Sequence, residues 1–261
     1  MPAPDSTEPL DITVAISCYN EEAFIADTID HAVAALNATG HSYEIIVVDD
    51  VSRDNSVAKI QAHLKAHPEY PARLVQNKVN RGRANNYIET AFLGRGKYYR
   101  MCCGDDSEAP EALLAIFRHI GVADVVIPVQ DQNTILGKSP ARRRISKTFT
   151  FLVNSISGYH IKYYNGMAIH LRSNVMRWPP SSYGFGFEAD ILTRVLDEGA
   201  TFVQVPSFGT DRKGPGSSPV NLRNVLSVGH TLLEIAIRRV RRLLYGRSMA
   251  RPTERPTLPN K

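Results

Sequence analysis

Apolar runs that stop abruptly at polar or acidic clusters, each followed by a stretch of helical periodicity, constrain this chain more than any other feature. Ile12-Thr13-Val14-Ala15-Ile16-Ser17 leads into Tyr19-Asn20-Glu21-Glu22, Tyr43-Glu44-Ile45-Ile46-Val47-Val48 into Asp49-Asp50, and the run from Tyr98 to Cys103 into Gly104-Asp105-Asp106-Ser107-Glu108. Runs this short and this apolar read as strands buried on both faces. The segments between them predict helices: one opened by Asn20 as a capping side chain and running through Ile25, Ile29, Val33 and Leu36 to near Gly40, then Ser56 to Leu64, then Arg83 to Leu93. A third strand is expected at Ala72 to Gln76. Strand and helix alternation of this kind predicts an α/β fold, a Rossmann-like, mostly parallel sheet flanked by helices.

The alternation continues with a helix near Pro110 to His119, a strand at Ala123 to Val129 and a basic stretch, Lys138 to Lys147, leading into another helix. A strand-like Met167 to Leu171, a helix at Phe187 to Glu198 and a strand at Thr201 to Val205 follow. With 261 residues and 43% hydrophobic content the chain can bury one large core. We read residues 1–11 as a flexible N-terminus, 12–220 as the catalytic domain, 221–245 as a basic amphipathic helix and the proline-rich 246–261 as a disordered tail.

The formal net charge of +5 asks for an anionic partner without naming it. No nucleic-acid motif accompanies it, so nucleic acid is not expected. Cys18, Cys102 and Cys103 form neither a disulfide framework nor zinc spacing, which fits a reducing cytoplasm. No apolar run approaches the roughly 20 residues that span a bilayer. The helix from Leu222 to Leu244 sets Leu222, Val225, Leu226, Leu232, Leu233, Ile237, Val240 and Leu244 at near-helical spacing beside Arg238, Arg239, Arg241 and Arg242. It suits the inner face of an anionic membrane, or equally a surface on its own domain or an oligomer partner.

In a parallel sheet the strand ends lie side by side, and ligands bind there. Carboxylates collected at that edge suit a hard divalent cation, Mg2+ or Mn2+. The ordinary reading of such clusters is helix capping and turn formation. It is weaker for Asp49-Asp50 and Asp105-Asp106, because adjacent carboxylates repel and at most one can cap.

The order and spacing of Cys18-Tyr19-Asn20-Glu21-Glu22, Val47-Val48-Asp49-Asp50, Asn80-Arg81-Gly82, Gly104-Asp105-Asp106, Asn165-Gly166, Gly184-Phe185-Gly186-Phe187-Glu188-Ala189-Asp190, Val205-Pro206 and Arg212 resemble the family 2 glycosyltransferases of GT-A fold. Within them the chain looks most like the polyprenyl-phosphate (dolichyl-phosphate) mannosyl and glucosyl transferase branch. The resemblance implies inverting, metal-dependent sugar transfer from a nucleoside diphosphate sugar, GDP- or UDP-linked, to a polyprenyl-phosphate-like lipid. The rival readings are the same chemistry on a soluble hydroxyl acceptor, or a nucleotide-sugar binding protein of weak activity.

By the same resemblance Tyr19, Glu21, Asp49 and Asp50 hold base and ribose, and Arg81 or Arg83 faces the diphosphate. Asp106 is the expected principal metal ligand, with Asp105 or Glu108 assisting. Asp190, with Glu188 as its rival, is the expected catalytic base; Arg212 closes over the donor phosphates, and Arg142 and Ser146 grip an acceptor phosphate. Four positions depart from the pattern: Ser17 replaces a usual proline, Gly104 the first aspartate of Asp-x-Asp and Ser218 a loop lysine, and Tyr163-Tyr164-Asn165-Gly166 stands for Asp-x-x-Ser-Gly.

Overall fold

The computed structural model describes residues 9–130, 139–177, 184, 186–208, 222–245 and 251–259. The strands are β1 (Leu10–Cys18), β2 (Tyr43–Asp49), β3 (Ala72–Gln76), β4 (Gly96–Cys103), β5 (Val125–Gln130), β6 (Ile169–Leu171), β7 (Thr201–Ser207) and β8 (Thr253–Glu254). The helices are α1 (Ile25–Asn37), α2 (Ser56–Ala66), α3 (Arg83–Leu93), α4 (Pro110–Phe117), α5 (Pro140–Ser157), α6 (Arg172–Arg177), α7 (Phe187–Asp197) and α8 (Leu222–Leu244). The strands form one sheet in the order β3-β2-β1-β4-β6-β5-β7-β8.

Alternation along the central strands divides the core into two layers. Ile12, Val14 and Ile16 of β1 pack with Ile25 and Ile29 of α1, Ile60 of α2 and Ile116 of α4. On the opposite face Ala15 and Tyr99 meet Tyr87 of α3, Phe149 of α5, Ile191 of α7 and Ile235 of α8. Each such side chain contributes about 1.5–3 kcal/mol when taken fully from water. The register sets Cys18 opposite Asp49, Asp49 opposite Gln76 and Ser17 opposite Cys103. The ends of β1, β2, β3 and β4 therefore share one edge.

Three features differ from the expectation. β6 runs antiparallel to both β4 and β5, which carries the segment before it, including Asn165-Gly166, back to that edge. Gly166 lies so close to β5 that a Cβ there would stand 2.4 Å from the Pro128 carbonyl oxygen. Asn20 does not cap α1: it adopts φ of 57° and its Oδ1 accepts from Arg53 N at 2.7 Å, tying the β1 loop to the β2 loop.

Of the expected disordered tail, the described residues 251–259 are also corrected. β8 pairs in parallel with β7, Arg255 N donates to the Phe202 carbonyl at 2.7 Å, and Leu258 N donates to His119 Nε2 at 2.9 Å. β7 would otherwise present an unpaired edge, and a short strand bordered by Pro252 and Pro256 can cover it without extending the sheet further.

Candidate active site

The loops after β1 and β2 are laced together by side chains. Ser52 Oγ accepts from Asn20 N at 3.0 Å, Ser56 Oγ from Glu21 N at 2.9 Å and Asp54 Oδ2 from Glu22 N at 3.1 Å, while Asn55 N donates to Glu22 Oε2 at 2.9 Å. This holds Glu21 buried, and leaves the Tyr19 ring 43% exposed at the rim, where a planar base can stack on it.

Asp49 and Asp50 are adjacent and have different work. Asp50 Oδ1 accepts from Asn77 Nδ2 and Arg81 N, and its Oδ2 from Gly82 N, all at 2.8 Å. Its carboxylate therefore organises the 77–82 loop. Asp49 Oδ2 accepts from Val51 N and Ser52 N at 3.1 Å, but its Oδ1 is buried without a partner. An unsatisfied buried carboxylate oxygen is costly, so this atom is the one ready to accept from a bound molecule.

The Asp105-Asp106 pair divides in the same way. Asp106 takes φ of 48°, its backbone N donates to Thr28 Oγ1 at 3.1 Å, and its Oδ1 lies 2.8 Å from His31 Nδ1. Thr28 and His31 belong to α1, so this carboxylate is turned onto the helix. Asp105 accepts from Ser107 N at 3.3 Å and contributes negative charge at Arg83. Glu108 is bonded to Arg100 Nη2 at 2.5 Å. Gly104 has a steric cause: a Cβ there would stand 2.8 Å from the Ser17 carbonyl oxygen and 2.9 Å from Ile25 Cδ1. An aspartate does not fit at this position unless β1 moves.

Arg81 turns outward to Glu89 at 2.6 Å, whereas Arg83 stands exposed in the first turn of α3. Its pKa is raised by Cys103 first, then by Glu188, Asp105 and Glu21, against partial desolvation. Charges from the ends of β1 and β4 and from α7 thus act together on one guanidinium, and Arg83 is itself exposed. A cation facing solvent amid carboxylates is suited to a polyanion such as a diphosphate.

Glu188 accepts from Met167 N at 3.2 Å and lines a cavity with Tyr87, Tyr164, Gly166, Met167 and His170. Burial pushes its carboxyl up to about 7, with Arg83 and the Met167 amide opposing. Asp190, two residues on, is 0% exposed and receives Arg238 Nη1 at 2.8 Å and Arg194 Nε at 3.0 Å. Burial alone would raise its pKa, but hydrogen bonds from Arg238 and Arg194 hold it below the usual range. The expectation that Asp190 serves as base is therefore corrected: its carboxylate is fully buried in an ion-pair network with Arg194 and Arg238.

A family model described as glycosyl transferase family 2 matches residues 13–177, more than half of the chain. The chain belongs to glycosyl transferase family 2. A dolichyl-phosphate beta-glucosyltransferase of Dictyostelium discoideum is 29% identical over 109 residues, 39% of this chain and 33% of that protein. An undecaprenyl-phosphate 4-deoxy-4-formamido-L-arabinose transferase of Shewanella sediminis is 25% identical over 173 residues, 64% of this chain and 49% of that protein. The aligned segments thus span between a third and a half of these curated relatives. Among solved structures, glucosyl-3-phosphoglycerate synthase from Mycobacterium tuberculosis, in complex with Mn2+, UDP and phosphoglyceric acid, superposes with a TM-score of 0.68 at 18% identity, covering 87% of this chain and 78% of that one. That likeness establishes the GT-A type of fold.

Within this family 2 chain, other predicted residues lie elsewhere. Arg142 and Ser146 sit a turn apart on α5, both partly buried; Arg212 and Ser218 lie outside the described residues. Tyr163 and Tyr164 are buried, and the Tyr164 hydroxyl donates to Asn154 Oδ1 at 2.8 Å. The basic residues of α8 mostly face inward: Arg238 bonds Asp190 and Asp197, Arg239 pairs with Asp197, and Arg242 Nη1 donates to the Asp197 carbonyl at 2.6 Å. These guanidiniums are matched to acids on α7, and only Arg241 of the four is exposed. No helix of the described residues is long and apolar enough to cross a membrane.

Sequence reasoning missed Arg100, which is fully buried in β4, donates to the Met167 carbonyl at 2.9 Å and bonds Glu108. It pins both the segment entering β6 and the segment leaving β4. A lone arginine inside the apolar run from Tyr98 to Cys103 was its only signal. Asp30 of α1, His63 of α2 and His67 just after α2 form the one metal-capable His/Asp group among the described residues. There His63 is already paired with Asp30 at 2.8 Å and His67 with Glu69 at 3.2 Å.

Proposed function

We propose that this chain transfers a sugar from a nucleoside diphosphate sugar, UDP- or GDP-linked, with inversion at the anomeric carbon. The observation that carries this reading is the convergence on Arg83 of Glu21, Asp105 and Glu188, at the strand edge where Asp49 presents its unpartnered oxygen. In this reading Tyr19 stacks on the base and Asp49 Oδ1 accepts from base or ribose. Arg83 faces the diphosphate.

Asp105 is the carboxylate we assign to a divalent cation, with Asp106 displaced to α1 by His31 and Thr28. An all-oxygen donor set suits Mg2+ or Mn2+, and solved relatives were crystallised with Mn2+ or Mg2+ and UDP. When bound, such a cation neutralises the charge that develops on the departing diphosphate.

Glu188 in its ionised form takes the proton from an acceptor hydroxyl. As that oxygen bonds to the anomeric carbon, the bond from that carbon to the diphosphate oxygen breaks and the nucleoside diphosphate leaves. A carboxyl poised near 7 is matched to this task at neutral pH, and it favours a hydroxyl acceptor. A polyprenyl-phosphate acceptor, ionised without help, is the second reading, favoured by the similarity to dolichyl- and undecaprenyl-phosphate transferases. There Arg142 and Ser146 would grip the phosphate.

A panel of UDP- and GDP-sugars titrated with and without Mn2+ tests the donor assignment. Tight binding that requires metal is expected; binding to none of the panel contradicts it. Transfer assays on a soluble phosphorylated hydroxy acid and on a short-chain polyprenyl phosphate then separate the two acceptors.

A further inference from the structure

Helix α8 has two apolar faces. Val228, Leu232 and Ile235 pack on the domain core and Arg238, Arg239 and Arg242 face α7, while a second row of aliphatic residues faces solvent. Leu226 is 64% exposed, Leu233 58%, Ile237 43%, Val240 53% and Leu244 74%, and His230 is exposed among them. The steps along Leu226, His230, Leu233, Ile237, Val240 and Leu244 alternate between four and three residues. That is the 3.5-residue repeat of a coiled-coil seam, and it places all six side chains on one stripe.

The stripe is also complementary to itself when reversed. With a second α8 laid antiparallel about a two-fold axis at Ile235, Leu226 meets the partner's Leu244, His230 meets the partner's Val240 and Leu233 meets the partner's Ile237. On one flank Ala236 faces the partner's Ala236, and Gly229 faces the partner's Leu243, so small residues lie where the helices approach. On the other flank Glu234 faces the partner's Arg241, twice by symmetry. Arg241 is the arginine of the Arg238–Arg242 cluster that has no carboxylate partner among the described residues.

We propose that α8 is a homodimer interface, in which two copies of this chain pack as an antiparallel helix pair along the Leu226–Leu244 stripe. The occupant is a second copy rather than a lipid surface because the stripe's flanks carry one acid and one base in reciprocal positions. An anionic bilayer calls instead for basic residues on both flanks.

Sedimentation velocity and light scattering across a concentration series test this on the full chain. A dimer is expected, with Leu233→Glu shifting it to monomer while circular dichroism and melting temperature show an intact fold. Glu234→Arg or Arg241→Glu alone should weaken dimerisation by about tenfold, and the two together should restore it. Ala236→Cys should cross-link to itself on oxidation. A chain monomeric throughout the series, a dimer unmoved by Leu233→Glu, or a monomer that co-sediments with phosphatidylglycerol vesicles through this stripe would each overturn the proposal.

Discussion

The cleft side of α7 and its α8 side present two carboxylates two residues apart in opposite conditions. Glu188 meets a cavity, one backbone amide and an arginine on another helix, and its carboxyl is pushed up to about 7. Asp190 meets two guanidiniums at hydrogen-bond distance and is held ionised. The difference teaches that an acid fully provided with partners is committed to the fold, and one left short of them is open to a ligand, which is the basis of the proposed assignment. The same division separates Asp49 from Asp50 and Asp105 from Asp106.

The sharpest break of that comparison is Glu188→Gln. Loss of a general base should lower kcat by about 10²–10⁴ on a hydroxyl acceptor, with donor affinity unchanged. In the unchanged protein the rate should rise with pH through about 7, since the ionised form is active. Stability moves the other way. A folded pKa raised above the ordinary 4.5 means that the native state holds the proton more tightly, so this residue's contribution is full below 4.5 and lost as pH rises through about 7. The glutamine variant should therefore melt higher than the parent above pH 7, and an unchanged rate with an unchanged melt would remove Glu188 from the cavity chemistry.

Asp190→Ala tests the other side of α7. It breaks the pairing of a fully buried carboxylate with Arg194 and the partly buried Arg238, and a loss of about 3–5 kcal/mol is expected. Denaturant unfolding reads it directly. A near-neutral variant with lost activity would return Asp190 to catalysis.

Asp50→Ala should remove the acceptor for two loop amides and Asn77, costing about 2–4 kcal/mol and loosening residues 77–82. Hydrogen exchange at Arg81 and Gly82 would show it. The smallest effect is expected at His31→Ala, whose partly exposed pair with Asp106 is worth about 1 kcal/mol or less.

Much of this was legible in the sequence because it is local. Strand ends, helix spans and the collection of acids at one edge follow from periodicity and from the chemistry of adjacent residues. The division of labour within each acidic pair was not legible, because long-range partners decide it. Asp50 is claimed by a loop about 30 residues away, Asp106 by α1 and Asp190 by Arg238 on α8. The antiparallel β6 and the pairing of β8 were hidden for the same reason: strands of three and two residues carry too little pattern to predict direction. Gly104 was legible only as a departure, and its cause is the Ser17 carbonyl across the sheet.

Metal-dependent donor binding, measured side by side in Asp105→Asn and Asp106→Asn by calorimetry with UDP-glucose and Mn2+, tests the division within the acidic pair most directly. Asp105→Asn should lose the metal-dependent part of the affinity, about a hundredfold or more, while Asp106→Asn stays within a few-fold of the parent. The reverse result, with Asp106 essential and Asp105 dispensable, would contradict it.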